Sequence, residues 1–67
     1  MMKKLSIAVF FGGRSSEYKV SLESAYSVIR NLDSEKYRAV PIGISPDGRW
    51  YYYTGNIEKI YKDQWLN

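Results

Sequence analysis

The chain has 67 residues and a net charge of +3, from ten Lys and Arg against seven Asp and Glu. It contains no Cys and no His, which excludes disulfides and the commonest zinc ligands as sources of stability. The basic residues are scattered along the chain, without the dense run typical of nucleic-acid-binding surfaces. A chain this short buries only about 60% of its unfolded surface, so packing, oligomerisation or a larger protein must complete its stability.

The amino terminus carries Lys3 and Lys4 ahead of an apolar run, as a secretion signal does. The run extends only from Ile7 to Phe11 and ends in two glycines, whereas a signal core needs about 7–15 apolar residues. No stretch approaches the roughly 20 apolar residues of a membrane-spanning helix. The sequence therefore predicts a cytoplasmic protein.

The first predicted elements are a strand, a glycine loop and a helix. Continuous apolarity over Ile7–Phe11 is typical of a strand covered on both faces, and Gly12–Ser16 follows as a loop. A helix is predicted from about Val20 to Leu32, with Ser21 as its N-cap and Glu23 favourably placed for the helix dipole. Its apolar face comprises Leu22, Ala25, Val28, Ile29 and Leu32.

The second half of the chain predicts a β-hairpin and a short helix. Tyr37–Ile44 is a predicted strand in which Pro41, lacking a backbone N–H, indicates an edge position or a bulge. The turn Ser45–Gly48 joins it to a third strand, Arg49–Tyr53. The final helix is indicated by Ile57, Ile60, Tyr61 and Trp65. The order β-α-β-β-α predicts an α/β fold with an incomplete, mainly parallel sheet, whose open edge and far face something else must cover.

The loop after the first strand is the candidate binding site, because ligands of open α/β sheets bind beyond the carboxyl ends of the strands. Gly12 and Gly13 allow backbone N–H groups to approach a ligand, and the helix start adds donors. The loop does not match the dinucleotide pattern, since its glycines are adjacent and Glu17 stands at the third glycine position. It does not match the P-loop pattern either, since no Gly-Lys-Ser/Thr follows. The glycines alone fit a simple tight turn equally well. Glu17 either complements the dipole or presents a charge to a ligand's ammonium group.

Residues Val9–Ala25 resemble the N-terminal signature of the D-alanine–D-alanine ligase family, which couples Gly-Gly, Ser, Glu, Val-Ser and Ser-Ala at set spacings. The second strand and turn, in Pro41–Ile44 and Pro46–Trp50, resemble the family too. Tyr18 and the run Trp50–Gly55 are similar to the D-alanine–D-serine ligases of glycopeptide resistance.

This resemblance implies a Rossmann-like, pre-ATP-grasp fold, with residues 1–67 forming a truncated first substrate-binding domain and the ATP-grasp domains absent. It implies ATP and Mg²⁺ as cofactors of the parent enzyme, which joins D-alanine to D-alanine or D-serine for peptidoglycan precursors and is a homodimer. ATP phosphorylates the first D-alanine, and the amine of the second amino acid attacks the acyl phosphate. We expect the fragment alone to be inactive, with no catalytic residue or metal ligand of its own.

The resemblance also implies roles for individual residues. Glu17 takes the place of a glutamate that pairs with the ammonium of the first D-alanine, and Val20 that of a residue near its methyl group. Ser21 lies at the helix start, where it either caps the helix or steadies Glu17. The residues that shape the loop are Gly12, Gly13 and Ser16. Lys19 departs from the usual Glu or Asp, and we expect it to face solvent.

Two other classes of function stay open. A free-standing module binding a nucleotide or anion would use Gly12 and Gly13, although Glu17 would repel such a ligand. An interaction domain would pair through the open sheet edge, although it needs no glycine loop. We interpret the aromatic residues as packing against a neighbouring domain or subunit rather than stacking on nucleic acid. These residues are Trp50–Tyr53, Tyr61 and Trp65.

Overall fold

The computed structural model describes residues 3–14 and 16–66, and Ser15 of the predicted loop lies outside that description. The elements are β1 (Leu5–Gly12), α1 (Tyr18–Asn31), β2 (Tyr37–Ile44), β3 (Trp50–Tyr52) and α2 (Glu58–Tyr61). The predicted order is confirmed, and β2 has the bounds that the sequence predicted. The main difference is that α1 begins at Tyr18, before the predicted start at Val20.

The three strands form one mixed sheet in the order β1-β2-β3. The parallel pairing of β1 with β2 runs along both whole strands, from Leu5 opposite Tyr37 to Gly12 opposite Ile44. The antiparallel pairing of β2 with β3 covers only the end of β2, where Ile44 lies opposite Trp50. The sheet is therefore mainly parallel, as predicted, with a short hairpin on one side.

Pro41 does not mark an edge strand or a bulge, because β2 is the central strand of the sheet. The Pro41 carbonyl accepts a hydrogen bond from the Tyr53 backbone N–H at 2.9 Å. Since the nitrogen and carbonyl of a strand residue face the same neighbour, the Pro41 nitrogen faces β3. Continuing the register beyond Ile42 and Tyr52, Pro41 lies opposite Tyr53, so its missing N–H removes only the one return bond to the Tyr53 carbonyl, at the end of the ladder.

Both helices pack on one face of the sheet, and together they bury the core. The core residues are Val9, Phe11, Leu22, Ala25, Ile60 and Trp65. Trp65 is only 5% exposed, so the interpretation of this residue as an interface aromatic is wrong. The predicted helix face is confirmed for Leu22 and Ala25, whereas Val28 is 48% exposed because it lies at the margin of the apolar stripe.

The opposite face of the sheet is not covered by any element within residues 3–14 and 16–66. Phe10 is 50% exposed, and its ring contacts Trp50 edge-on at a centroid distance of 5.3 Å. We call this surface the open face, and by strand alternation and register it comprises Ala8, Phe10, Val40, Ile42, Ile44, Trp50 and Tyr52. Within the described residues β1 is therefore covered on one face only, because α2 returns to the face that α1 already occupies. The uncovered face is the far face that, by the sequence prediction, something else must cover.

Candidate functional site

The two loop glycines adopt positive φ angles, +90° at Gly12 and +94° at Gly13, which L side chains rarely adopt. A Cβ on Gly12 would collide with the Ile44 carbonyl oxygen, whereas a Cβ on Gly13 would meet nothing within 4 Å. The Gly13 N–H donates to the same Ile44 carbonyl at 2.6 Å. The glycines thus let the carboxyl ends of β1 and β2 approach each other closely.

Ser21 is not the N-cap of α1. The N-cap is Glu17, which makes no side-chain capping hydrogen bond, and no acidic residue lies in the first turn, so Glu23 is too far along for the predicted dipole interaction. The Ser21 hydroxyl instead accepts from the Gly12 N–H at 2.8 Å and donates to the Tyr18 carbonyl at 2.7 Å. Because α1 begins earlier than predicted, Ser21 lies inside the helix and fastens it to the end of β1.

Glu17 and Val20 lie side by side at the beginning of α1, three residues apart. Glu17 is exposed, and its carbonyl accepts the Ser21 N–H at 2.9 Å in the first helical bond. Val20 is 53% exposed, and Ser16 is exposed in the loop just before Glu17. Lys19 is exposed as well, in agreement with its predicted position toward solvent. A carboxylate and an apolar side chain are therefore both accessible beside the glycine loop.

The β2–β3 turn lies against the same loop. Arg14 donates from Nε to the Pro46 carbonyl at 3.2 Å. Within the same turn, the Ser45 hydroxyl donates to the Asp47 carboxylate and accepts the Arg49 N–H at 3.1 Å. The Ser45 bond is the main reason that the pKa of Asp47 lies below its usual 3.8, and the charges of Arg49 and Arg14 add to it. Sequence reasoning missed Arg14, although two parallel strands bring their carboxyl ends to one edge and so place these loops together.

A second group of side chains lies under the beginning of α1. The Trp65 Nε1–H donates to the Tyr18 hydroxyl at 3.1 Å, and that hydroxyl donates to Asp63 Oδ1 at 2.8 Å. Burial raises the pKa of Tyr18 above its usual 10.0, and its hydrogen bond to Asp63 raises it further. Sequence reasoning treated Tyr18 as a marker of one branch of the family and did not connect it with Trp65.

The described residues offer no metal site, since no group of three or more Asp, Glu, His or Cys within 3–14 and 16–66 lies close enough to hold a cation. These residues therefore do not by themselves fit a Mg²⁺ site. No helix in the same ranges is long and apolar enough to cross a membrane.

A parallel strand pair, a glycine loop and an exposed carboxylate at the following helix start define an α/β protein whose candidate binding site lies beyond the carboxyl ends of its strands. Residues 6–67 match the family model described as D-ala D-ala ligase N-terminus. The chain belongs to that family, which confirms the resemblance seen in its sequence.

Similar proteins include both ordinary ligases and resistance proteins. The chain is 46% identical over 65 residues to D-alanine--D-alanine ligase B of Clostridium tetani (strain Massachusetts / E88), covering 97% of this chain and 18% of that protein. It is 54% identical over 65 residues to the vancomycin C-type resistance protein VanC1 of Enterococcus gallinarum, with the same two coverages of 97% and 18%. The crystal structure of the VanG D-Ala:D-Ser ligase from Enterococcus faecalis matches with a TM-score of 0.92 and 48% identity, over 96% of this chain and 19% of that one. The chain thus spans less than one fifth of these proteins.

Proposed function

We propose that this chain forms the part of a D-alanine–D-alanine or D-alanine–D-serine ligase that binds the first D-alanine. The observation that carries the proposal is the exposed Glu17 carboxylate at the beginning of α1, beside the Gly12–Gly13 loop and in a chain of this family. The fuller assignment, in which residues 1–67 are the amino-terminal segment of a cytoplasmic, homodimeric ATP-grasp enzyme, belongs to the same proposal. The absence of Cys suits a reducing compartment.

In the proposed site, Glu17 pairs with the ammonium group of D-alanine, and Val20 lies against its methyl group. The accessibility of both side chains supports these roles, as does their separation of three residues at the helix start. A carboxylate facing an ammonium makes a charge-assisted hydrogen bond, roughly twice as strong as a neutral one. Gly12, Gly13 and Ser21 act by shaping the backbone, and Ser16 lines the loop.

The hydrogen bonds of the loop weigh against an anion-binding module. Such a site needs free backbone N–H groups that point at the ligand. The Gly12 N–H donates to the Ser21 hydroxyl at 2.8 Å, and the Gly13 N–H donates to the Ile44 carbonyl at 2.6 Å. Both glycine donors are already used within the chain, which favours the carboxylate of Glu17 over these two N–H groups as the feature that selects a ligand.

A chimaera tests the proposal. This chain replaces the matched segment of the VanG D-Ala:D-Ser ligase, and ATP-dependent joining of D-alanine to D-serine is measured with each substrate varied in turn. We expect an active enzyme in which Glu17→Gln lowers kcat/KM for D-alanine by about 10- to 150-fold, the equivalent of roughly 1.5–3 kcal/mol for a hydrogen bond to a charged group.

The matched control is Glu23→Gln, which neutralises another exposed glutamate of α1 away from the loop. We expect its kinetics to equal those of the unaltered chimaera. An inactive unaltered chimaera, or D-alanine kinetics that do not change with Glu17→Gln, would contradict the proposed function.

A further inference from the structure

The indole ring of Trp65 lies directly under the ends of both parallel strands. A Cβ added to Gly43 of β2 would come within 2.7 Å of Trp65 Cη2, and one added to Gly12 of β1 would lie 3.4 Å from Cζ2. The ring also meets Phe11 edge-on, with a centroid distance of 4.9 Å. Trp65 therefore occupies the space that the two glycines leave open, and its position limits how far Gly12 can move toward the core.

The same side chain is bonded to the beginning of α1. Its Nε1–H donates to the Tyr18 hydroxyl, which in turn donates to Asp63, so the phenol uses both its acceptor and its donor capacity. A tyrosine hydroxyl is protonated at neutral pH without any shift, and burial moves the pKa of Tyr18 further upward. Asp63 lies in the turn that follows α2, and its φ is +58°. Asp tolerates this conformation better than most residues do.

Tyr18 is the first residue of α1, and Glu17 is the N-cap immediately before it. We propose that Tyr18, Asp63 and Trp65 form a brace that positions both Glu17 and Gly12 for the first D-alanine. The Trp65 ring packs against Gly12 from the core side of the sheet. Its hydrogen bond to Tyr18 fixes the beginning of α1, from which Glu17 projects. Tyr18 and Trp65 are positioning residues in this arrangement. The inference rests on the proposed function, because it is the D-alanine site that the brace positions.

The brace predicts a selective change in kinetics. Tyr18→Phe keeps the ring and its packing but removes the hydroxyl that joins Trp65 to Asp63. Two hydrogen bonds are lost, a neutral one from Trp65 and a charge-assisted one to Asp63. In the VanG chimaera we expect KM for D-alanine to rise about fivefold, because only part of this loss reaches the site. KM for ATP and for D-serine, as well as kcat, should stay within about twofold. Trp65→Phe, which keeps an aromatic ring without the N–H, should act in the same direction. Tyr61→Phe is the control, since it removes a tyrosine hydroxyl from an exposed residue of α2.

Amide hydrogen exchange supplies a second measurement that does not need catalysis. With Tyr18→Phe, peptides covering residues 10–22 should exchange several-fold faster, whereas Tyr61→Phe should leave them unchanged.

A lower Tm with unchanged KM for D-alanine and unchanged exchange in these peptides would overturn the brace and leave Tyr18 with a purely structural role. If Glu17→Gln impairs D-alanine use and Tyr18→Phe does not, the brace fails while the proposed function stands. If the unaltered chimaera is inactive, the proposed function fails and exchange alone decides the brace.

Discussion

The hydroxyl oxygen of Ser21 accepts a hydrogen bond from the backbone N–H of Gly12 at 2.8 Å. This bond joins the first turn of α1 to the last residue of β1. The same hydroxyl donates to the Tyr18 carbonyl at 2.7 Å, the i−3 back-bond that serine often makes inside helices. The conformation of the glycine loop is therefore held by a side chain of the following helix, and not by the loop alone.

Replacing Ser21 by Ala should destabilise the chain by about 1–3 kcal/mol, because the partly buried Gly12 N–H then has no acceptor. Ser21→Thr keeps the hydroxyl and should lose much less. The free energy of unfolding in urea measures both variants. Equal losses for Ala and Thr would mean that the hydroxyl is not what stabilises this junction.

The two loop glycines should differ in their tolerance of a side chain. Gly13→Ala meets no steric obstacle and pays only for its positive φ, a cost of about 1–2 kcal/mol. Gly12→Ala carries the same strain and also forces its Cβ into the Ile44 carbonyl oxygen, so β1 and β2 must separate. We expect Gly12→Ala to be clearly the less stable of the two by thermal or urea unfolding. Equal stability would show that the strand ends can part without cost.

The local features of the fold could be predicted from the sequence. The bounds of β2 follow from its apolar pattern. The hairpin follows from the turn, in which Gly48 has a φ of +91° and its N–H donates to the Ser45 carbonyl at 2.8 Å. Each of these features depends on a few consecutive residues, whose propensities and turn chemistry act without help from distant parts of the chain.

The contacts that build the site could not be predicted in the same way. Trp65 and Tyr18 lie 47 positions apart, and Arg14 and Pro46 lie 32 apart. Such pairs depend on how the helices and strands pack, which periodicity does not specify. The error at Pro41 has the same origin, since only the short length of β3 makes a proline acceptable in a central strand.

The open face should cause the isolated chain to self-associate. Phe10, Trp50 and Tyr52 are each at least 50% exposed on one contiguous apolar surface, which is unusual for a small monomer. Trp50→Lys should shift the sedimentation velocity distribution toward monomer. Val28→Lys, which changes an apolar residue exposed on α1, is the control and should not. A concentration-independent monomer before any substitution would contradict this prediction.

The stability of the β2–β3 turn should depend on pH through Asp47. Its carboxyl pKa is lowered in the fold, chiefly by the Ser45 hydroxyl, so the unfolded chain takes up a proton at a higher pH than the folded chain does. The contribution of Asp47 is therefore present above its usual pKa of 3.8 and is lost as the pH falls below that value. Asp47→Asn should lower Tm at pH 7, and this difference from the unaltered chain should shrink toward zero near pH 2.

Glu35→Gln, at an exposed position away from the turn, should show no comparable trend. A difference between Asp47→Asn and the unaltered chain that stays constant from pH 7 to pH 2 would mean that the carboxylate charge contributes nothing, and that the turn is held by its backbone and by Ser45 alone.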